Sequence, residues 1–275
     1  MPFFLRHRKG KAMPKDTTYL AKTPDQTGRI TYTPDEDAVW RDLVAQQQPS
    51  VDRFAATAFL EGQKKLALPT NRVPQCADVS ETLMGLTGWQ VAPVPALIGF
   101  AQFFQMLSEK TFPAASFIRS RDDFDYIEEP DIFHEIYGHT PLLTDPRFAD
   151  FSQAIGETGL NCDKSDYTWL IRLYWFTIEF GLLKEGTEIK ALGSGLASSP
   201  GELAHSIEDP SVIRKPFDVI DILRTPYRID INQPIYFVID DVTQLQKAAA
   251  RDLIKDIAKA KALGLHAPVY PPKNA

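Results

Sequence analysis

The chain has 275 residues, 44% of them hydrophobic and 24% charged, and its 30 Lys and Arg against 36 Asp and Glu give a formal charge of −6. These values exclude a fibrous or wholly disordered chain, and the length allows one large domain or two small ones. Two cysteines far apart, Cys76 and Cys162, exclude a disulfide scaffold and a thiolate metal cluster, and the net negative charge argues against a nucleic-acid surface.

Residues 1–27 read as an irregular, flexible basic arm; the start, MPFFLRHRKGK, has its basic residues after the apolar ones, the reverse of a secretory signal. Thr33-Pro34-Asp35-Glu36 is a helix start, with Thr as cap, Pro in the first turn and Glu three residues on, and Trp40, Leu43 and Val44 follow at helical spacing. A second helix is expected over Val51 to Leu66, and a third from a cap at Asp78 or Ser80 to Gly88. Pro93 and Pro95 frame a loop before a helix from Ala96 to Ser108, and Ala115 to Arg119 reads as a short strand. Two helical stretches between Asp145 and Leu183 are separated at Gly156, Gly159 and Asn161. The second, from Asp166, is apolar nearly all round and belongs in the core; Arg172 and Glu179 interrupt it, and it is too short to span a membrane. Glu188 to Ser199 reads as a hairpin or loop, Pro234 to Ile239 as a strand and Asp241 to Leu263 as one amphipathic helix. Strands do not alternate with helices, which excludes a doubly wound sheet or a β/α barrel. The expected fold is mainly α (α+β): a helix-rich domain with a few short strands.

Five histidines occur, and His134 and His139 lie five residues apart in HEIYGH. A zinc-peptidase helix spaces its histidines four apart on one face; five residues on a regular α-helix put them about 140° apart. They face one ion only if the helix ends or widens between them, as at a π-bulge, and Gly138 and Pro141 permit such a break. The other reading is that the two histidines are unrelated. Glu179 adds a third candidate ligand, because an ionised carboxylate in apolar surroundings needs a partner or a metal. Arg172, roughly 10 Å away along the axis, is not an obvious one; the alternative is that Glu179 reaches a solvent channel or a distant Lys. Two histidines and one carboxylate suit the facial triad of a non-haem Fe(II) oxygenase, and zinc accepts the same set. Arg119 is a candidate carboxylate binder. Asp131, three residues before His134, either pairs with Arg119 or a ligand ring or caps the helix carrying His134.

EPDIFHEIYGHTPLL, LYWFTIEFGL, IRSRDDFDY and GSGLASSPGEL resemble the catalytic domain of the pterin-dependent aromatic amino acid hydroxylases, above all the bacterial phenylalanine 4-hydroxylases, from about Thr31 to Pro272. The resemblance implies Fe(II) held by His134, His139 and Glu179, and a tetrahydropterin (tetrahydrobiopterin or a bacterial analogue) near Ala96, Leu97, Ile98 and Phe103, with Phe103 stacking on it. Glu135 would face the pterin, and Tyr174 would border iron and pterin. The substrate carboxylate would meet Arg119, backed by Asp131 and helped by Ser198, while Trp175 and Phe180 shape the aromatic pocket. Ile127 replaces a Thr of animal members, and Ile229 falls where tyrosine-specific relatives carry Asp, so phenylalanine is the expected substrate. The implied reaction converts L-phenylalanine, O2 and tetrahydropterin to L-tyrosine and 4a-hydroxytetrahydropterin; alternatives are hydroxylation of tryptophan or tyrosine, or a zinc hydrolase using Glu135 as base. The expected organisation is a single catalytic domain over residues 28–275, cytoplasmic, monomeric or weakly dimeric, without nucleic-acid or membrane partners and without the regulatory domain and oligomerising helix of animal members.

Overall fold

The computed structural model describes residues 19–95, 98–125, 127 and 129–272. Most of the expected basic arm, residues 1–18, and the expected pterin neighbours Ala96 and Leu97 lie outside the described residues. From Tyr19 the chain runs along the body: the Tyr19 ring stacks on Phe117 at 4.8 Å, and the Lys22 ammonium meets Glu36 at 2.8 Å.

Helix α1 (Pro34–Phe54) starts at the predicted capping box, with Thr33 and Glu36 bonding reciprocally. It runs past the expected boundary at Val51 and through Pro49, because Trp40, Leu43, Val44, Gln47, Val51 and Phe54 form one buried stripe whose burial outweighs the lost backbone bond. The break falls at Ala55 and Ala56, where the Ala56 N–H donates to Ala191 O at 2.8 Å, so the second helix, α2, covers Thr57–Leu66. Helix α3 (Cys76–Thr87) begins at Gln75 rather than at Asp78 or Ser80, and ends as expected at Gly88, in the left-handed region at φ 75°. The Ser80 hydroxyl instead accepts the Val91 N–H at 2.8 Å.

Strand β1 (Gln90–Val94) replaces part of the expected Pro93–Pro95 loop. It pairs in parallel with β2 (Thr111–Ala115) in a two-stranded sheet, so Pro93 withholds no N–H that an interior strand would need. Helix α4 (Phe100–Ser108) starts later than Ala96, and β2 ends where a strand was expected to begin. A π-helical segment, Phe133–His139, leads into α5 (Thr140–Leu143).

Helix α6 (Pro146–Asn161) runs unbroken through Gly156 and Gly159, which were expected to separate two helices. A Cβ at Gly156 would collide with the Ser108 backbone and lie 2.7 Å from Leu107 Cβ, and one at Gly159 would enter the Phe104 ring. Both glycines therefore serve close packing of α4 on α6. Helix α7 (Tyr167–Tyr174) widens into a second π-helical segment, Trp175–Glu179, instead of continuing to Leu183. The predicted hairpin region is β3 (Leu182–Glu185), a turn at Gly186, β4 (Glu188–Ala191) and then α8 (Ser194–Ala197).

Helix α9 (Pro200–Glu208), strand β5 (Ile213–Pro216) and helix α10 (Val219–Arg224) were not foreseen; they are short and show little periodicity. Strand β6 (Ile235–Ile239) matches its prediction and is buried throughout. It sits inside a four-stranded sheet of order β4-β3-β6-β5, parallel to β3 and β5. The expected last helix divides into α11 (Thr243–Ala249) and α12 (Leu253–Leu263), because Asp252 caps the latter by accepting the Lys255 N–H at 3.1 Å. The buried apolar side chains form one core, in which α6 packs on α4 and α7 and the first π-helical segment lies against α5, α8 and β2. No helix among the described residues is long and apolar enough to cross a membrane.

Gly156→Ala tests the reading of the glycines. Overpacking against backbone falls at the upper end of ~1–3 kcal/mol, and the gain in helix propensity offsets ~1 kcal/mol. A net loss of about 2 kcal/mol is expected in urea denaturation; unchanged or increased stability would assign Gly156 to flexibility rather than packing.

Candidate metal and substrate site

Two widened turns bring the candidate ligands together. The Phe180 N–H donates to Trp175 O at 2.8 Å, five residues back, the hydrogen bond of a π-turn. The π-helical segment Phe133–His139 likewise turns His134 and His139 to the same side, and their Nε2 atoms are 3.2 Å apart. Glu179 Oε1 is 3.0 Å from His139 Nε2, and Oε2 is 3.8 Å from His134 Nε2. The helix widens without breaking: Gly138 has an ordinary φ, and a Cβ there would lie 2.8 Å from Ser194 O, so its smallness admits α8. Pro141 sits in the first turn of α5, where its missing N–H costs nothing.

The donor set fits a divalent cation. Glu179 is wholly buried, and neither carboxylate oxygen has a hydrogen-bond partner. Left so, an ionised carboxylate is very costly; a cation among the three side chains removes the cost. Among the described residues these three form the one cluster of potential ligand atoms lying within 4.8 Å of one another. The Ser198 hydroxyl donates to Ser194 O at 3.0 Å and so accepts from His134 Nδ1 at 2.8 Å. That bond fixes the tautomer and leaves the Nε2 lone pair for a metal. His139 is held by the Phe112 ring, stacked at 4.7 Å, and by the Tyr174 hydroxyl at 3.4 Å from Nδ1. Burial, then the His139 and Arg119 charges, depress His134 well below the ordinary histidine value, so it is neutral and ready to ligate. Burial, reinforced by Glu179 and Asp131, raises Glu135 well above the carboxylate range, and its Oε1 has no partner.

Beside His134 lies a cavity of about 240 Å³ whose lining includes Arg119, Ile127, Trp175, Phe180, Ser198 and Ile229. Arg119 Nε and Nη2 donate to the two Asp131 oxygens at 2.8 and 2.9 Å. Asp131 also accepts the His134 N–H at 3.2 Å, so the two sequence alternatives for it, Arg119 partner and helix cap, are both realised. Burial would raise Asp131, but the Arg119 guanidinium and its hydrogen bonds prevail and hold it below the usual range. The Trp175 ring packs on Phe180 at 4.4 Å and on Tyr227 at 4.2 Å.

Of the expected pterin-side residues, the described ones, Ile98, Phe103, Glu135 and Tyr174, are not in the lining of this cavity. Phe103 is buried, with its ring edge-on to Tyr174 at 5.3 Å; Ile98, just before α4, is buried as well. Sequence reasoning missed Phe112, Gln47 and Gln233. Gln47 Nε2 donates to Ala197 O at 2.7 Å, bracing the turn that carries Ser198. Its one available signal was a glutamine within the apolar stripe of α1.

A helix-rich domain with two histidines and one carboxylate on widened turns, beside an Arg-ended aromatic cavity, has the donor set that non-haem iron oxygenases use. Residues 4–266 match the family model described as biopterin-dependent aromatic amino acid hydroxylase, and the chain belongs to that family. It is 46% identical to the phenylalanine-4-hydroxylase of Vibrio cholerae, over 94% of this chain and 89% of that one. With that of Pseudomonas aeruginosa it shares 44% identity over 95% and 99%. Among solved structures, the cold-active phenylalanine hydroxylase of Colwellia psychrerythraea superimposes with a TM-score of 0.91, at 48% identity over 94% of this chain and all of that one. A cobalt-bound phenylalanine hydroxylase of Chromobacterium violaceum gives a TM-score of 0.84, at 33% identity over 91% and 94%.

Ser198→Ala separates support of the metal from contact with the substrate. Loss of the partner of His134 Nδ1 is expected to weaken Fe(II) or Co(II) binding about 10–100-fold in a titration. Unchanged metal affinity with a raised KM for the amino acid would place Ser198 on the substrate instead.

Proposed function

We propose that this chain is a phenylalanine 4-monooxygenase, with His134, His139 and Glu179 holding Fe(II). The observation that carries the reading is the buried Glu179 carboxylate, without hydrogen-bond donors and facing two imidazoles, at the edge of an aromatic cavity. Iron and a reduced pterin, when bound, supply the activation of O2 that hydroxylates the ring.

The protein's own residues bind, orient and exclude water. Arg119, fixed by Asp131, binds the substrate carboxylate and sets how far the ring reaches. Trp175 and Phe180 flank the ring, and Ile127 and Ile229 offer it apolar neighbours with no partner for a ring hydroxyl, which favours phenylalanine over tyrosine. Ala96, Leu97, Ile98 and Phe103 would hold the pterin. The unpaired carboxyl oxygen of Glu135 offers it a hydrogen bond, and Tyr174, bonded to His139, borders it on the metal side. Residues 28–275 act as one catalytic domain, in a cytoplasmic monomer or weak dimer without nucleic-acid or membrane partners.

Protein loaded anaerobically with Fe(II) is mixed with O2, tetrahydropterin and phenylalanine, tyrosine or tryptophan in separate reactions. Tyrosine from phenylalanine is the expected dominant product; no hydroxylated product from any of the three, or activity that follows zinc without pterin, would overturn the proposal. Arg119→Gln removes charge-assisted hydrogen bonds to the carboxylate, each about 1.5–3 kcal/mol, and lowers kcat/KM for phenylalanine by about tenfold or more, mainly through KM.

A further inference from the structure

Part of the cavity wall is the segment from Ile229 to Gln233, and one side chain ties it to Trp175. Gln233 is 2% exposed. Its Oε1 accepts the Trp175 indole N–H at 3.3 Å, and its Nε2 donates to Arg228 O at 2.7 Å and to Ile231 O at 3.0 Å. Its backbone N–H donates to Glu202 Oε1 at 2.7 Å, and its carbonyl lies 3.2 Å from His205 Nε2. Every donor and acceptor group of this residue is therefore engaged. Glu202 is itself buried in the same wall and also accepts the Tyr236 hydroxyl.

We infer that Gln233 is a specificity-positioning residue: by tethering the Trp175 indole to the segment that carries Ile229, it fixes the width of aromatic side chain the pocket admits. The inference rests on the function proposed above. Trp175 is held by two kinds of contact. Its rings stack on Tyr227 and pack at a tilt on Phe180; these apolar contacts resist tilting, but stacking gives no in-plane direction. The hydrogen bond to Gln233 supplies that direction. The two Nε2 bonds hold the backbone on both sides of Ile229 and Asp230, so the opposing apolar contact is fixed through the same amide. The Gln233 side chain hydrogen-bonds Trp175, Arg228 and Ile231, and none of His134, His139, Glu179, Arg119 or Asp131, so its loss acts on the ring and not on the carboxylate or the metal. Glu202, through the backbone of Gln233, anchors the amide to β6.

The test is Gln233→Met, which keeps length and apolar bulk and removes all three side-chain hydrogen bonds. The ratio of kcat/KM for tryptophan to that for phenylalanine is expected to rise about tenfold, the size of one directed hydrogen bond. The ratio of their dissociation constants is expected to shift likewise, read by calorimetry on anaerobic Fe(II)-loaded protein without pterin. Iron stoichiometry and KM for tetrahydropterin should stay at wild-type values. An equal fall in kcat/KM for both substrates, or an unchanged ratio, would overturn the inference and leave Gln233 a plain structural brace. If Gln233→Met does not fold, Glu202→Gln decides: it retains an acceptor for the Gln233 N–H but withdraws its charge, and about a threefold shift in the same direction is expected. No shift there contradicts the inference. Failure of the wild-type protein to hydroxylate phenylalanine would instead refute the proposed function.

Discussion

Glu179 is fully buried and has no hydrogen-bond donor for either carboxylate oxygen, and the rest of the site is arranged around that fact. An ionised carboxylate in that position is very costly without a cation beside it. The fold meets the requirement by widening two helices by one residue each. Without the wide turn at Trp175–Glu179 the carboxylate would follow the α-helical path of α7, and without the one at Phe133–His139 the two imidazoles would diverge by about 140°. Such turns weaken a helix, and here tertiary packing holds both: α8 lies against Gly138, and the chain at Gly193 crosses directly over the Glu179 backbone.

The metal and substrate halves of the site share their supports. Asp131 holds the Arg119 guanidinium with both oxygens and accepts the backbone N–H of His134 with one of them. The residue that fixes the Arg119 guanidinium thus also sets the start of the turn that carries His134 and His139. Ser198 connects the other side, bonding His134 from the turn after α8, which Gln47 of α1 braces from behind. The polar groups that place His134 therefore come from parts of the chain far apart in sequence, and its neutrality follows from the burial they share.

Much of the site was legible in the sequence, and the reason is local chemistry. A five-residue histidine spacing admits one metal only on a widened helix, and that is the geometry found. A glutamate among Tyr174, Trp175 and Phe176 has few tolerable roles. Helix α1 was legible at its start, where a capping box is written in four residues, but not at its end, where buried Val51 and Phe54 carry it through Pro49. Gly156 and Gly159 misled because local propensity marks them as breaks, while their purpose is contact with Leu107, Ser108 and Phe104, far away in sequence. Gln233 was invisible for the same reason, and Gln47 showed only as a polar residue within an apolar stripe: a glutamine has no spacing rule, and its partners are fixed only by the folded chain. His205, unassigned from sequence, bonds the Gln233 carbonyl through Nε2.

The site depends on one coordination sphere, and X-ray absorption of the Fe(II)-loaded protein tests it most directly. One iron per chain is expected, in a nitrogen and oxygen environment with the outer-shell scattering of two imidazoles and no sulfur. Glu179→Gln should alter that spectrum or abolish binding. Iron ligated by sulfur, an absence of imidazole scattering, or a spectrum and stoichiometry indifferent to Glu179→Gln would contradict the assignment of His134, His139 and Glu179.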